Sequence, residues 1–200
     1  MSRVIADISM SLDGYVTAPG VDMEHGLGKG GESLHTWVFA KDSPEDAAIT
    51  ERSMAETGAV IMGRRTFDFI DGPNGWNDEL GYGAGPDQAT SGPPVFVVTH
   101  SAPASWRLGA RFRFAGSVAE AVEQALAAAG GKDVVVMGGG DVVRQAVLSG
   151  YADELRIHLS PVLLGGGTPL FAGDGATVAL QQTDVVVTPY ATHLTYQVGG

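Results

Sequence analysis

The chain has 200 residues, 44% of them hydrophobic and 18% charged, the proportions of one globular domain long enough to bury a core. Its 12 Lys and Arg face 23 Asp and Glu, and the net charge of −11 excludes general affinity for nucleic acid or anionic membrane. Cysteine is absent, which removes disulfides, thiolate nucleophiles, Cys-ligated zinc and iron–sulfur clusters and leaves redox chemistry to a borrowed cofactor.

The first residues reach Asp7 before any long apolar run, and no stretch of about 18 apolar residues follows, so a soluble, cytoplasmic protein is expected. Val4–Leu12 has the alternation of a strand. Period two places Val4, Ala6, Ile8, Met10 and Leu12 on one face and Ile5, Asp7, Ser9, Ser11 and Asp13 on the other. Such a strand either lies at a wet edge or opens at its carboxyl end into a polar site, as α/β sheets do around ligands. Asp13-Gly14 is then either part of that site or an ordinary turn. Two long Gly-rich, polar stretches, Asp13–His35 and Asp71–Pro94, have the length of functional loops.

Ser43-Pro44-Glu45-Asp46 predicts a helix running to about Thr57, with Ser43 as cap, Pro44 at the first position and two acids complementing the dipole. Those positions account for Glu45 and Asp46 without catalysis. The apolar strand Ala59–Met62 runs into Gly63-Arg64-Arg65-Thr66. A helix starting near Arg64 would aim free N–H groups and two guanidinium groups above the strand, a natural phosphate site. Pro94–Thr99 and Arg111–Ala115 read as further strands. Ser117 and Glu120 form a capping box, after which Val118, Ala121, Val122, Ala125, Leu126 and Ala129 recur at helical spacing until Gly130-Gly131.

Asp133–Met137 is the next strand, and Gly138-Gly139-Gly140 then leads into a helix ending at Gly150, a second junction able to bind phosphate. Glu154–Pro161 puts Arg156, His158 and Ser160 on one face. His158 reads as a structural hydrogen-bonding residue or a proton donor over the central crevice, near Asp13 if the two strands are neighbours. Leu163–Phe171 is a tight apolar loop that walls a pocket, meets a second copy or simply turns. Val178–Thr188 and Thr192–Val198 suggest a closing hairpin. The fold class is α/β, with a mixed, mainly parallel sheet flanked by helices and antiparallel strands at the C-terminal end. Histidines 25, 35, 100, 158 and 193 show no metal-ligand spacing, so no metal is expected; serine-hydrolase and P-loop motifs are absent from the sequence.

Ile5–Val16 (IADISMSLDGYV), Val60–Phe67 (VIMGRRTF), Val95–His100 (VFVVTH), Val134–Val143 (VVVMGGGDVV) and Asp153–Phe171 resemble the dihydrofolate reductase-like superfamily. The similarity is nearest to the reductase domain of the bifunctional riboflavin-biosynthesis deaminase/reductase and its stand-alone relatives. The resemblance implies one dihydrofolate reductase-like domain over residues 1–200, NADPH as cofactor and hydride transfer to a small heterocyclic substrate. It further implies that Gly63, Arg64, Arg65 and Thr66 hold the 2′-phosphate and diphosphate, with Thr99 and His100 at the adenosine end. Gly138, Gly139, Gly140, Val142 and Val143 would line the diphosphate and nicotinamide, with Ser9 and Val16 beside the nicotinamide ring.

Asp13 and His158 are the candidates for orienting substrate or supplying a proton, under a cover formed by Trp37 and the Asp13–His35 loop. A homodimer is expected from the riboflavin-type relatives, through the Gly165–Phe171 loop or the final hairpin. Three departures stand out. Asp141 replaces the arginine that dihydrofolate reductases carry after the triple glycine, and Met137-Gly138-Gly139 replaces Glu-Gly-Gly. Phe67–Asp71 stands where the riboflavin reductases have a basic ribosyl-phosphate motif. The substrate-binding acid of dihydrofolate reductases would fall near Asp46 or Ala47. Pteridine-type reduction and a non-catalytic nucleotide-binding module are the alternative functions.

Overall fold

The strand carrying Asp7, Ser9 and Ser11 lies in the middle of the sheet, so its polar face belongs to a site and not to a wet edge. The computed structural model describes residues 2–77, 80–82, 92–172 and 177–199; part of the predicted Asp71–Pro94 loop lies outside them. In chain order the elements begin with β1 (Val4–Ser11), β2 (Tyr15–Thr17), a 3-10 helix (Gly31–His35), α1 (Thr36–Phe39), α2 (Pro44–Glu56), β3 (Thr57–Gly63) and α3 (Arg64–Asp71). They continue with β4 (Val95–Val98), β5 (Phe112–Ala115), α4 (Val118–Ala128), β6 (Asp133–Val136), α5 (Gly140–Leu148), β7 (Glu154–Ser160), β8 (Thr168–Pro169), β9 (Leu180–Val187) and β10 (Thr192–Val198).

The main sheet has the order β5-β4-β3-β6-β1-β7-β10-β9. All pairings from β5 to β7 are parallel, while β10 runs antiparallel to β7 and β9 antiparallel to β10. The expected mixed sheet with antiparallel C-terminal strands is therefore present. The tight loop before Phe171 contains a strand that the sequence did not suggest: β8 pairs with β2 in a separate two-stranded sheet.

Alternation along β1 divides the molecule. Val4, Ala6 and Ile8 join Val134, Val136, Leu155 and Ile157 under the Ala121–Ala125 stripe of α4 and Val143, Ala146 and Val147 of α5. The opposite face holds a second core on the β3–β5 side, where Phe67 and Ile70 of α3 meet Val60, Met62, Val95, Val97 and Phe112. On that same face, over β1, β7 and β10, the sheet faces a cleft instead of a continuous core. Among the described residues, no helix is long and apolar enough to cross a membrane.

The direction of α3 is fixed from its far end. Arg107 donates from Nη2 to the carbonyl oxygens of Ile70, Gly72 and Trp76 at 3.0, 3.2 and 2.8 Å, and from Nε to that of Asp71 at 3.1 Å. A guanidinium there satisfies C-terminal carbonyls and complements the dipole. Arg107→Ala is expected to lower unfolding free energy by about 2 kcal/mol, the scale of hydrogen bonds to a charged group. Urea denaturation checks this; an unchanged midpoint contradicts it.

Candidate functional site

Among the described residues, four helices of eight or more residues begin after strands or loops, and their caps separate them into two kinds. Ser43 caps α2, accepting from the Asp46 N–H, and Ser117 caps α4, accepting from the Glu120 N–H. By contrast, α3 begins after Gly63 and α5 after Gly139, neither with a side-chain cap. Both uncapped ends open into one cleft of about 1160 Å³ at the carboxyl ends of the central strands. Apart from the Val142 N–H, which donates to the Gly139 carbonyl at 3.0 Å, their first-turn N–H groups and positive dipole ends are thus left for a ligand.

The glycines keep this cradle open. A Cβ at Gly139 would stand 3.4 Å from Thr66 Oγ1, filling the space between the two helix starts, and one at Gly140 would stand 2.7 Å from Val16 Cγ2. Gly138 adopts φ 143°, a value side chains rarely tolerate. Arg64 is anchored, with Nε donating to Asp68 at 2.7 Å and Nη1 to the Ser101 carbonyl at 2.7 Å. Arg65 is exposed and has no side-chain partner among the described residues.

Gly63, Arg64, Arg65, Thr66, Thr99, His100, Gly138, Gly139, Gly140 and Val142 line the cleft together with Ser9 and Val16. Val143 does not: it is fully buried in the core beneath α5, because its helical position turns it toward the sheet. Asp141 lines the cleft, but its carboxylate accepts a hydrogen bond from Arg144 one turn along.

The polar face of β1 leads to a chain of four titratable side chains, Asp7 partly exposed and the other three buried. Asp7 Oδ1 lies 3.0 Å from His158 Nε2, His158 Nδ1 lies 2.7 Å from His193 Nδ1, and His193 Nε2 lies 2.7 Å from Asp46 Oδ1. Trp37 closes the chain, its indole 4.2 Å from the His158 ring and 5.0 Å from the His193 ring. Its Nε1–H donates to Ser9 Oγ at 2.9 Å. Thr188, in the β9–β10 turn, donates to Asp46 Oδ1 at 3.1 Å. Burial opposes ionisation of Asp7, yet the charge and hydrogen bond of His158 hold its carboxyl below 3.8. Burial, and then the charge of His158, pushes His193 below 6.5.

This arrangement corrects two expectations. Asp13 is not in the cleft: its carboxylate accepts from Ser11 Oγ at 2.6 Å and from the N–H groups of Leu164 and Gly165 at 3.1 and 2.7 Å. It ties the end of β1 to the loop before β8, a turn role. His158 faces Asp7 and His193 instead of Asp13, since parallel pairing sets Ser9 beside His158. Asp46, near the position where dihydrofolate reductases carry their substrate-binding acid, is fully buried and absent from the cleft lining. The pairing of Asp7, His193 and Asp46 with His158 escaped the sequence reading because the partners come from distant segments; the lone hint was the polar face of β1.

His35 stands at the cleft wall, where burial and then the charge of His158 push it down to about 4, against the pull of Asp7. The unfolded chain therefore binds a proton that the folded one refuses. Stability from this group is complete above pH 6.5 and is lost as pH falls toward about 4. Denaturation midpoints of His35→Gln should fall less steeply than wild type across that window; equal slopes contradict the assignment.

The molecule has relatives of known structure. A candidate riboflavin biosynthesis protein from Shewanella sp. PV-4 superposes with a TM-score of 0.68 at 21% identity, covering 99% of each chain. A pyrimidine reductase-like protein from Corynebacterium diphtheriae gives 0.63 at 17%, covering 98% of this chain and 92% of its own. A third is the diaminohydroxyphosphoribosylaminopyrimidine deaminase/5-amino-6-(5-phosphoribosylamino)uracil reductase from Thermotoga maritima, at 0.62 and 15% identity. It is matched over 98% of this chain but only 56% of its own length. At these identities the likeness is one of fold. In sequence, the uncharacterized protein YyaP of Bacillus subtilis is 24% identical over 182 residues, 84% of this chain and 80% of that one. The RibD C-terminal domain family matches residues 2–194, and the chain belongs to that family.

Proposed function

We propose that the protein is an NADPH-dependent reductase that delivers a hydride to a small heterocyclic substrate of the pyrimidine class, as in the pyrimidine reduction of riboflavin biosynthesis. The observation that carries the reading is the placement of two uncapped helix N-termini, Arg64 and Arg65 in the same cleft as Asp7, His158 and Trp37. The names borne by the Thermotoga and Corynebacterium relatives support the substrate class.

The residues present fit a dinucleotide. The first-turn N–H groups of α3 and α5 suit a diphosphate, and the glycine cradle leaves room that a Cβ would fill. Arg65, free of other partners among the described residues, suits a 2′-phosphate, and Arg64 lends charge while anchored to Asp68 and Ser101. This focus of charge lets a chain of net charge −11 hold a polyanion. When bound, the cofactor supplies the hydride. The chain supplies position and a proton: Ser9 and Val16 border the nicotinamide region, Trp37 walls the pocket, and Asp7 brings a hydrogen-bonding carboxylate to the cleft floor.

Titration with NADPH and with NADH, followed by tryptophan fluorescence, tests the reading. Arg64→Ala/Arg65→Ala is expected to weaken NADPH about ten- to a hundredfold, the loss of one to two charge-assisted contacts, and NADH less. Equal affinity in the double variant, or no binding of either nucleotide, would overturn it.

We also propose a homodimer formed through the final hairpin. β9 is an edge strand of the main sheet, and its Val185 and Val187 are 41% and 72% exposed, an apolar edge that a second copy would cover. Light scattering should report a dimer for wild type and a monomer for Val185→Asp/Val187→Asp; a monomeric wild type contradicts the proposal.

A further inference from the structure

The buried chain below the cleft contains more hydrogen bonds than its ordinary protonation states can fill. Asp46 to His193, His193 to His158, and His158 to Asp7 are three contacts at 2.7, 2.7 and 3.0 Å, and each needs one proton. Two ionised carboxylates bring none, and two neutral imidazoles bring one each. With two protons, either the Nδ1 lone pairs of both histidines face each other at 2.7 Å, or an imidazole lone pair faces a carboxylate. Either choice is repulsive and leaves acceptors opposed where His158 and His193 are only 4% and 5% exposed. Two positively charged rings are excluded by the same geometry, since their Nδ1–H groups would collide.

We propose that Asp7, His158, His193 and Asp46 share one extra proton and form a relay that presents it to the cleft at Asp7. The relay takes its purpose from the reductase reading, because adding a hydride to a C=N or C=O bond requires a proton at the partner heteroatom. In the loaded state Asp46 accepts from His193 Nε2–H, one proton lies between the two Nδ1 atoms, and Asp7 accepts from His158 Nε2–H. Delivery moves the Nε2 proton of His158 to Asp7 and from Asp7 to the substrate. The Nδ1 proton settles on His158. Both imidazoles are then neutral, both carboxylates ionised, and the empty position lies at the cleft end, where water returns a proton. No bond between heavy atoms forms or breaks in the relay.

The surroundings set the direction. Asp46 is the third residue of α2, where the helix dipole favours its negative charge, and it receives the Thr188 hydroxyl at 3.1 Å. Its Oδ2 is buried with no partner among the described residues and Asp46 is absent from the cleft lining, whereas Asp7, His158 and His193 border the cleft, with Asp7 the most open to it at 18% side-chain exposure against 5% for each histidine. The other titratable groups facing the chain do not compete for the proton. His35 is pushed down to about 4, chiefly by burial, and Tyr82 up to about 12, by burial and the charge of Asp7. Arg156, whose Nε donates to Glu154 at 2.6 Å, adds positive charge near Asp7. Among the described residues, no cluster of three His, Asp or Glu is placed to hold a metal instead. His193 and Asp46 are positioning residues in this scheme, acting on substrate only through His158 and Asp7.

Histidine side-chain nitrogen NMR on the free wild-type protein tests the proposal without substrate. About two pH units above the ordinary imidazole value, His158 and His193 should together show three N–H protons and the nitrogen shifts of one shared imidazolium. Asp46→Asn should reduce them to two neutral rings at the same pH. Asp7→Asn should slow exchange of the Nδ1 proton with water by about a hundredfold, the low end of a general acid–base effect. Two neutral rings in wild type, or unaltered exchange in Asp7→Asn, would overturn the proposal. A shared proton in a protein that ignores NADPH would sink the reductase reading alone; two neutral rings in a protein that binds NADPH would sink the relay alone.

Discussion

Burying a carboxylate in the middle of a protein costs several kcal/mol unless hydrogen-bonded partners return it, and this fold buries Asp46 completely. Its partner His193 stands on β10 and is opposed by His158 on β7, which meets Asp7 on β1. The chain of contacts therefore stitches α2 across three neighbouring strands at the point where the sheet changes from parallel to antiparallel. Trp37 seals it by stacking on His158 and bonding to Ser9. The hairpin turn contributes as well, because Thr188 bonds to Asp46 and the Tyr190 hydroxyl donates to Asp42 at 2.7 Å.

Beside that buried polar wall, the parallel half of the sheet supplies the second component of the site. Parallel strands end on one edge, and the helices that follow β3 and β6 start there. Where such starts lack a capping side chain, the backbone offers its own donors to an anion. Proximity then does the remaining work: one cleft runs from the helix starts to Asp7, so a dinucleotide held by its phosphates would extend toward the relay.

Much of this was legible in the chain, and the limits are physical. Val4–Leu12 announced a polar face, the Gly63-Arg64-Arg65-Thr66 and Gly138–Gly140 junctions announced two helix starts after strands, and Ser43 and Ser117 announced caps that the structure contains. These are local patterns, written within a few residues. The relay is not local: Asp7 and His158 are 151 residues apart, and His193 and Asp46 are 147 apart. Asp46 was also concealed by its own capping position, since a helix-start acid needs no further explanation. Asp13 misled for the reverse reason: a carboxylate in a turn at a strand end looks catalytic until the N–H groups of Leu164 and Gly165 are found on it.

The most direct test of the central claim, that the two uncapped helix starts and the cleft between them hold a nicotinamide dinucleotide, is backbone amide NMR during NADPH addition. The account predicts that the largest shifts fall on the amides of Arg64, Arg65 and Thr66 and of Gly140 and Asp141, with the Trp37 indole N–H following. Shifts confined to other surfaces, or no shift at saturating NADPH, would contradict it.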